Sequence, residues 1–237
     1  MTERERGLLL VVEGPEGAGK STQVARLGRW LDARGRAHQE LREPGGTPLG
    51  ERVRDILLNV SDIEITAAAE AALFIASRAQ LVDRVIRPAL GEGTIVTLDR
   101  FFLSTYAYQI HGRGLDERSL REANRLATGD LVPDLTLLLT LSSEEGMRRA
   151  DKRGARDRME SSGDAFHRRV EDAFARFAAA QWQAAHPECG PIVTVEAAGN
   201  EDEVFASILR VLGDRWPDIF MLEDSSQDAT RNPARVR

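Results

Sequence analysis

Val12-Glu13-Gly14-Pro15-Glu16-Gly17-Ala18-Gly19-Lys20-Ser21-Thr22 is the stretch from which the rest of the chain can be read. Gly14 to Ser21 fits G-x-x-x-x-G-K-[ST]. An apolar run, Leu8 to Val12, leads in like a buried strand, and a helical stretch, Gln23 to Leu31, leads out. That strand, loop and helix order is the context in which the motif has a physical meaning. Glycines let backbone N–H groups curl around phosphate oxygens, and the helix N-terminus adds partial positive charge. Gly14, Pro15, Glu16, Gly17, Ala18, Gly19, Lys20, Ser21 and Thr22 are therefore the expected ATP-binding residues. Lys20 would reach the terminal phosphates, and the Ser21 hydroxyl would hold Mg²⁺. A bare glycine turn would not require Lys and then Ser after its last glycine.

Working outward, apolar strands alternate with helical stretches. Strands are expected near 8–12, 37–41, 94–98, 135–141 and 192–195. Helices are expected over Leu49 to Leu58, Thr66 to Leu90, Asp116 to Ala127, Asp164 to Ala185 and Glu203 to Leu212, the last capped by Asn200. This alternation predicts an α/β fold of the P-loop NTPase type: a three-layer sandwich with a five-stranded parallel sheet covered on both faces. The domain is expected over residues 1–216, with a polar, flexible tail over 217–237.

The chain has 237 residues with a net charge of −6, which disfavours a general nucleic-acid binder. One cysteine, Cys189, allows no internal disulfide, and the charged N-terminus resembles neither a signal peptide nor a membrane span. These features predict a cytoplasmic protein without membrane or nucleic-acid partners. The four histidines lack metal-ligand spacing. No guanine-reading N-K-x-D follows the P-loop.

Three further constellations carry chemistry. Gly93 to Arg100 is an apolar strand ending in Asp99-Arg100, which places Asp99 as a second candidate beside the metal; capping of the next helix is its competing role. Arg148, Arg149, Lys152, Arg153, Arg156 and Arg158 form a basic run around Gly154. This composition suits an arginine-rich lid over about 148–163 that closes on phosphates, although charge runs are usually solvated faces. Phe74 and Arg78 stand four apart on one helix face, where they could stack on a base and bond its edge. Spacing alone favours a core Phe74 and a surface-paired Arg78.

With these residues in view, the chain resembles the bacterial-type thymidylate kinases. The matching segments are Glu13 to Ser21, Arg42-Glu43-Pro44-Gly45-Gly46-Thr47-Pro48-Leu49, Phe74 and Arg78, and Asp99-Arg100 with Ser104-Thr105 and Tyr108-Gln109. Pro133 to Thr136 and Arg153-Gly154 through Asp157-Arg158 complete the set, which covers about residues 8 to 212. The resemblance implies transfer of the ATP γ-phosphoryl to dTMP, giving dTDP and ADP in dTTP synthesis, with Mg²⁺ and a homodimer. It implies that Phe74 stacks on thymine, Arg78 bonds its edge, and Glu16 holds the sugar 3′-hydroxyl. Arg100 would hold the acceptor phosphate, with Arg54 as a weaker candidate, and Tyr108 would crowd the 2′ position. Ser104, Thr105 and Gln109 complete the expected dTMP-binding set, and Ser21 and Asp99 the metal set. Lys20, Arg100, Arg153, Arg158 and Arg149 are the expected catalytic cations. The P-loop has no arginine, so the chain resembles the type whose catalytic arginine lies in the lid. It departs from the family at Phe101, where tyrosine or histidine is common. Another nucleoside or nucleotide kinase, or a non-catalytic ATP-binding module, would share the P-loop.

Overall fold

The structure is a computed structural model that describes residues 6–59, 63–142, 145, 146, 148, 149, 158, 159 and 162–220. Strand β1, Leu9–Glu13, is wholly buried, as its uninterrupted apolar run requires. Its alternate residues point to opposite faces. Leu9 and Val11 enter one core, and Leu10 and Val12 enter the other. The three layers follow from that alternation.

Helix α1, Lys20–Asp32, packs Val24, Leu27 and Leu31 into the second core. Strand β2, His38–Arg42, is followed by α2, Pro48–Leu58, whose N-cap Thr47 accepts from the Gly50 N–H. Helix α3, Ala67–Leu81, is capped by Thr66 and runs through a π-helical segment, Val82–Ile86, into α4, Arg87–Gly91. The expected single long helix is therefore continuous in path but changes its hydrogen-bonding pitch. Strand β3 is Ile95–Asp99. A short turn, Phe102–Ser104, then continues as a π-helix, Thr105–Gly112; together they form α5, for which no separate helix was expected. Helix α6 is Glu117–Thr128, β4 is Leu135–Thr140, and α7 is Asp164–Phe177. The expected helix to Ala185 breaks after Phe177, and α8 is Ala180–Ala185. Strand β5, Ile192–Glu196, and α9, Glu201–Arg215, close the domain. Asn200 and Glu203 form a reciprocal capping box at the start of α9.

All five strands are parallel, in the order β2-β3-β1-β4-β5. The chain leaves β1 between its two neighbours, so the crevice beyond the strand ends opens there. Val12 stands beside Asp99 in the register, which brings the P-loop and the Asp99-Arg100 pair to one edge. No helix among the described residues is long and apolar enough to cross a membrane.

The folded body extends past the expected boundary at Trp216. Helix α10, Pro217–Phe220, turns back so that Phe220, 1% exposed, stacks on Trp30 at 5.6 Å. Two aromatic residues in a short polar context gave no periodic signal. The residues after 220 lie outside the described set. We predict that Phe220→Ala destabilises the domain by about 3 kcal/mol, the usual cost of truncating a buried aromatic. Urea unfolding checks this, and an unshifted midpoint would contradict the packing.

Candidate active site

Beyond the strand ends lies a cavity of about 630 Å³, lined on one side by Glu16 to Gln23 and on the other by Arg100, Ser104, Thr105, Tyr108 and Gln109. Its first arm is the P-loop. Gly19 adopts φ 85°, a left-handed turn that feeds straight into α1. At Gly17, φ 75°, a Cβ would stand 2.4 Å from the Gly146 carbonyl oxygen, so only glycine allows this approach. Lys20 curls over its own loop, and its Nζ donates to the carbonyls of Gly14, 3.0 Å, and Pro15, 2.8 Å. Burial and the nearby Arg100 lower the Lys20 ammonium to about 7, against the opposing pull of Asp99, Glu13 and Glu16. The loop thus presents a cation that its surroundings only half support without a polyanion.

Asp99 and Ser21 meet as expected from the sequence. Ser21 Oγ donates to Asp99 Oδ2 at 2.5 Å. Asp99 Oδ1 is buried and has no hydrogen-bond partner. An orphaned carboxylate oxygen beside a hydroxyl fits a hard cation that completes its shell with water and substrate phosphates.

The second arm starts at Arg100, whose φ of 72° is unusual for a residue with a side chain. Glu13, 0% exposed, holds this turn. Its Oε1 accepts from the Phe101 N–H at 2.7 Å and the Ser104 N–H at 3.0 Å, and its Oε2 accepts from Ser104 Oγ at 2.8 Å. Arg100 Nη1 donates to Ser104 Oγ at 3.1 Å, and its guanidinium lies 5.3 Å from the Tyr108 ring. Burial pushes the Tyr108 phenol up, with Arg100 opposing. Phe74 and Arg54 also line the cavity, and Arg54 Nη1 donates to Pro44 O at 3.0 Å.

Arg78 differs from the expectation. It is 2% exposed, and all five of its N–H donors are engaged within the protein. Nε and Nη2 bond Glu43 Oε2 at 2.8 and 2.6 Å, Nη2 bonds Phe101 O at 2.8 Å, and Nη1 bonds Thr105 Oγ1 at 2.9 Å and Asn124 Oδ1. The expected bond from Arg78 to a base edge is not available in this arrangement; it would require one of these bonds to break. As placed, Arg78 braces the cavity wall.

The expected lid arginines separate. Arg149 lines the cavity, but its side chain bonds Glu145 at 2.6 Å, Ala197 O at 2.9 Å and Ala198 O at 3.2 Å. Arg158 bonds Leu57 O and Glu70 Oε2, both at 2.7 Å. Both guanidinium groups are thus engaged by carbonyl and carboxylate acceptors outside the P-loop. Arg153 lies outside the described residues.

Comparison with known proteins agrees with this geometry. The thymidylate kinase family profile matches residues 12–208. The chain belongs to the thymidylate kinase family. It is 45% identical over 210 residues to the thymidylate kinase of Deinococcus radiodurans, covering 89% of this chain and 98% of that one. It is 43% identical over 212 residues to the thymidylate kinase of Nitratidesulfovibrio vulgaris strain Miyazaki F, covering 86% and 95%. Against the thymidylate kinase of Chlorobium luteolum it is 42% identical over 220 residues, covering 89% and 99%. Thymidylate kinases are nucleoside monophosphate kinases, which fits a cavity with a P-loop on one wall and Arg100 and the α5 residues on the other.

Three buried acids were missed in the sequence: Glu13, Glu43 and Glu70. Glu13 carried a signal, since an acid ending an apolar strand must find donors. Glu70 carried none, because helix propensity accounts for it equally well.

The state of Lys20 makes a prediction. Its folded value lies near 7, so above that pH the free protein holds it mostly neutral. Phosphate oxygens favour the ammonium, so ATP binding must then take up a proton. Calorimetry in buffers of different ionisation enthalpy should show uptake of about one proton at about pH 8.5, shrinking as pH falls below about 7. The uptake should vanish in Lys20→Met.

Proposed function

We propose that the P-loop arm holds ATP, that α5 holds dTMP, and that the γ-phosphoryl passes between them inside this one cavity. The observation that carries the reading is that Lys20, Ser21, Asp99, Arg100 and Tyr108 line a single space. Membership of the thymidylate kinase family supports dTMP as acceptor and ATP as donor.

The acceptor needs no general base. The second pKa of a phosphate monoester is about 6, so dTMP arrives mostly as a dianion. One of its oxygens attacks the γ-phosphorus, the bond to the β–γ bridging oxygen breaks, and ADP leaves with that electron pair. Catalysis is then alignment and neutralisation of charge. Lys20 faces the terminal phosphates, Arg100 the acceptor phosphate, and Glu16 the sugar. Phe74 stacks on the base, Tyr108 stands at the 2′ position, and Thr105 and Gln109 face the base edge. Ser21 and Asp99 would hold Mg²⁺, which supplies further positive charge to the phosphates when bound. We place the finger among the lid arginines, with Arg153 first because Arg149 and Arg158 have acceptors elsewhere.

Exposed Leu49 and Ile56 on α2 and Leu126 on α6, the last 87% exposed, support a homodimer. The protein is proposed to work in the cytoplasm.

An ADP-release assay with ATP, Mg²⁺ and a panel of nucleoside monophosphates tests the acceptor. dTMP should give the highest kcat/KM, and dUMP should be slower by the roughly 1–3 kcal/mol that one methyl-sized contact contributes. A higher kcat/KM for dAMP or dGMP would refute the assignment. For the lid, Arg153→Ala should lower kcat by on the order of 10³-fold or more with dTMP binding unchanged. Near-wild-type kcat would put the catalytic charge elsewhere.

A further inference from the structure

Glu70 stands in the first turn of α3 and is 0% exposed, yet it lies outside the machinery described above. Four donated hydrogen bonds surround its carboxylate. Oε1 accepts from Gln109 Nε2 at 3.1 Å and Arg113 Nε at 3.1 Å. Oε2 accepts from Arg113 Nη2 at 3.0 Å and Arg158 Nη2 at 2.7 Å. Burial alone would push this carboxyl up, but the bonds from Arg113, Arg158 and Gln109 override it and hold Glu70 below the usual carboxylate range. The group is therefore an anion fixed by two guanidinium groups.

An ionised carboxylate only accepts hydrogen bonds. Gln109 must therefore turn its NH₂ toward Glu70, whichever way an isolated amide would prefer to lie. Its Oε1 is left as the other polar atom. Gln109 lines the cavity, and no hydrogen bond among the described residues reaches that oxygen. The cavity is thus offered a fixed acceptor.

We propose that Glu70 is a specificity-determining positioning residue: by fixing the amide of Gln109, it makes the acceptor site select a pyrimidine that carries an N–H donor on its ring edge. This rests on the reading of the cavity's second arm as the dTMP site. Thymine and uracil carry an imide N–H at ring position 3. Cytosine carries a lone pair there, which would meet the Gln109 oxygen. Gln109 cannot flip to relieve that clash, because its carbonyl would then face the Glu70 anion. A site built to hydrogen-bond a donor strongly rejects an analogue that lacks it. The same carboxylate holds Arg158, so the base reader and the end of the lid share one anchor.

Glu70→Gln is the informative change. Oε2 receives N–H groups from both arginines and Oε1 from only one, so the amide oxygen of the variant goes to the Oε2 side. Its NH₂ then faces Gln109, which turns over and offers its own NH₂ to the cavity. The experiment compares kcat/KM for dTMP and dCMP in the wild type, Glu70→Gln, Gln109→Ala and the double variant. Glu70→Gln should narrow the dTMP-to-dCMP ratio by about tenfold or more. In the Gln109→Ala background, Glu70→Gln should change the ratio no further. An equal fall for both acceptors would make Glu70 a structural brace and overturn the inference. A ratio that narrows in Gln109→Ala but not in Glu70→Gln would overturn it while leaving the acceptor site in place. An unchanged ratio in Gln109→Ala would remove Gln109 as a base reader, and the inference with it. If Glu70→Gln does not fold, the wild-type side-chain amide of Gln109 carries the test by nitrogen-15 NMR. Its NH₂ protons should exchange with solvent far more slowly than those of surface glutamines, and equally fast exchange would overturn the proposal.

Discussion

A fully buried carboxylate, Glu13, ties the two sides of the cavity together. It is the last residue of the central strand and immediately precedes the P-loop. Its two oxygens take the Phe101 N–H, the Ser104 N–H and the Ser104 hydroxyl. Those groups sit just after a non-glycine residue at positive φ and at the start of α5, whose residues line the cavity. Without Glu13, the buried Phe101 N–H would lose its acceptor, at about 1–3 kcal/mol, and the half-buried Ser104 N–H and hydroxyl would lose theirs at smaller cost. Glu13 therefore ties the strand that leads into the P-loop to the start of α5.

Around that tie, the cavity keeps cations close together and balances them with fixed acids. Lys20 and Arg100 are near enough for Arg100 to lower the Lys20 ammonium, while Asp99, Glu13 and Glu16 pull it up. Such a balance of cations and fixed acids suits a polyanion. Arg78 in the cavity lining and Glu70, which bonds the lining residue Gln109, each have their hydrogen-bonding capacity filled by the protein. Such saturated networks give rigid walls. Rigid walls suit a reaction in which alignment replaces covalent chemistry.

The parts of this arrangement that were legible in the sequence were local. The five parallel strands follow from short apolar runs between helical periods, and the P-loop, Asp99-Arg100 and the Asn200 cap follow from spacing. The spacing of Phe74 favoured a core position, and only the family resemblance pointed to the cavity that it lines; the engagement of Arg78 was not readable at all. Its partners Glu43, Thr105 and Asn124 lie 35, 27 and 46 residues away, and nothing in the local pattern joins them. The same holds for Glu70 with Arg158, 88 residues apart. Helix α5 was obscured because its π-helical turns have no 3.6-residue period. Helix α10 leaves no local signal because Phe220 packs on Trp30 through tertiary contact alone.

We propose that one cavity aligns a triphosphate on the P-loop with a thymidine phosphate held by Arg100. The most direct measurement is a crystal structure with a bisubstrate analogue that joins adenosine and thymidine through a phosphate chain. The account predicts that the chain runs from the Lys20 loop to the Arg100 guanidinium, with thymine against Phe74 and the Gln109 carbonyl oxygen facing ring position 3. A phosphate chain on the P-loop with the thymidine end outside the α5 arm would contradict it.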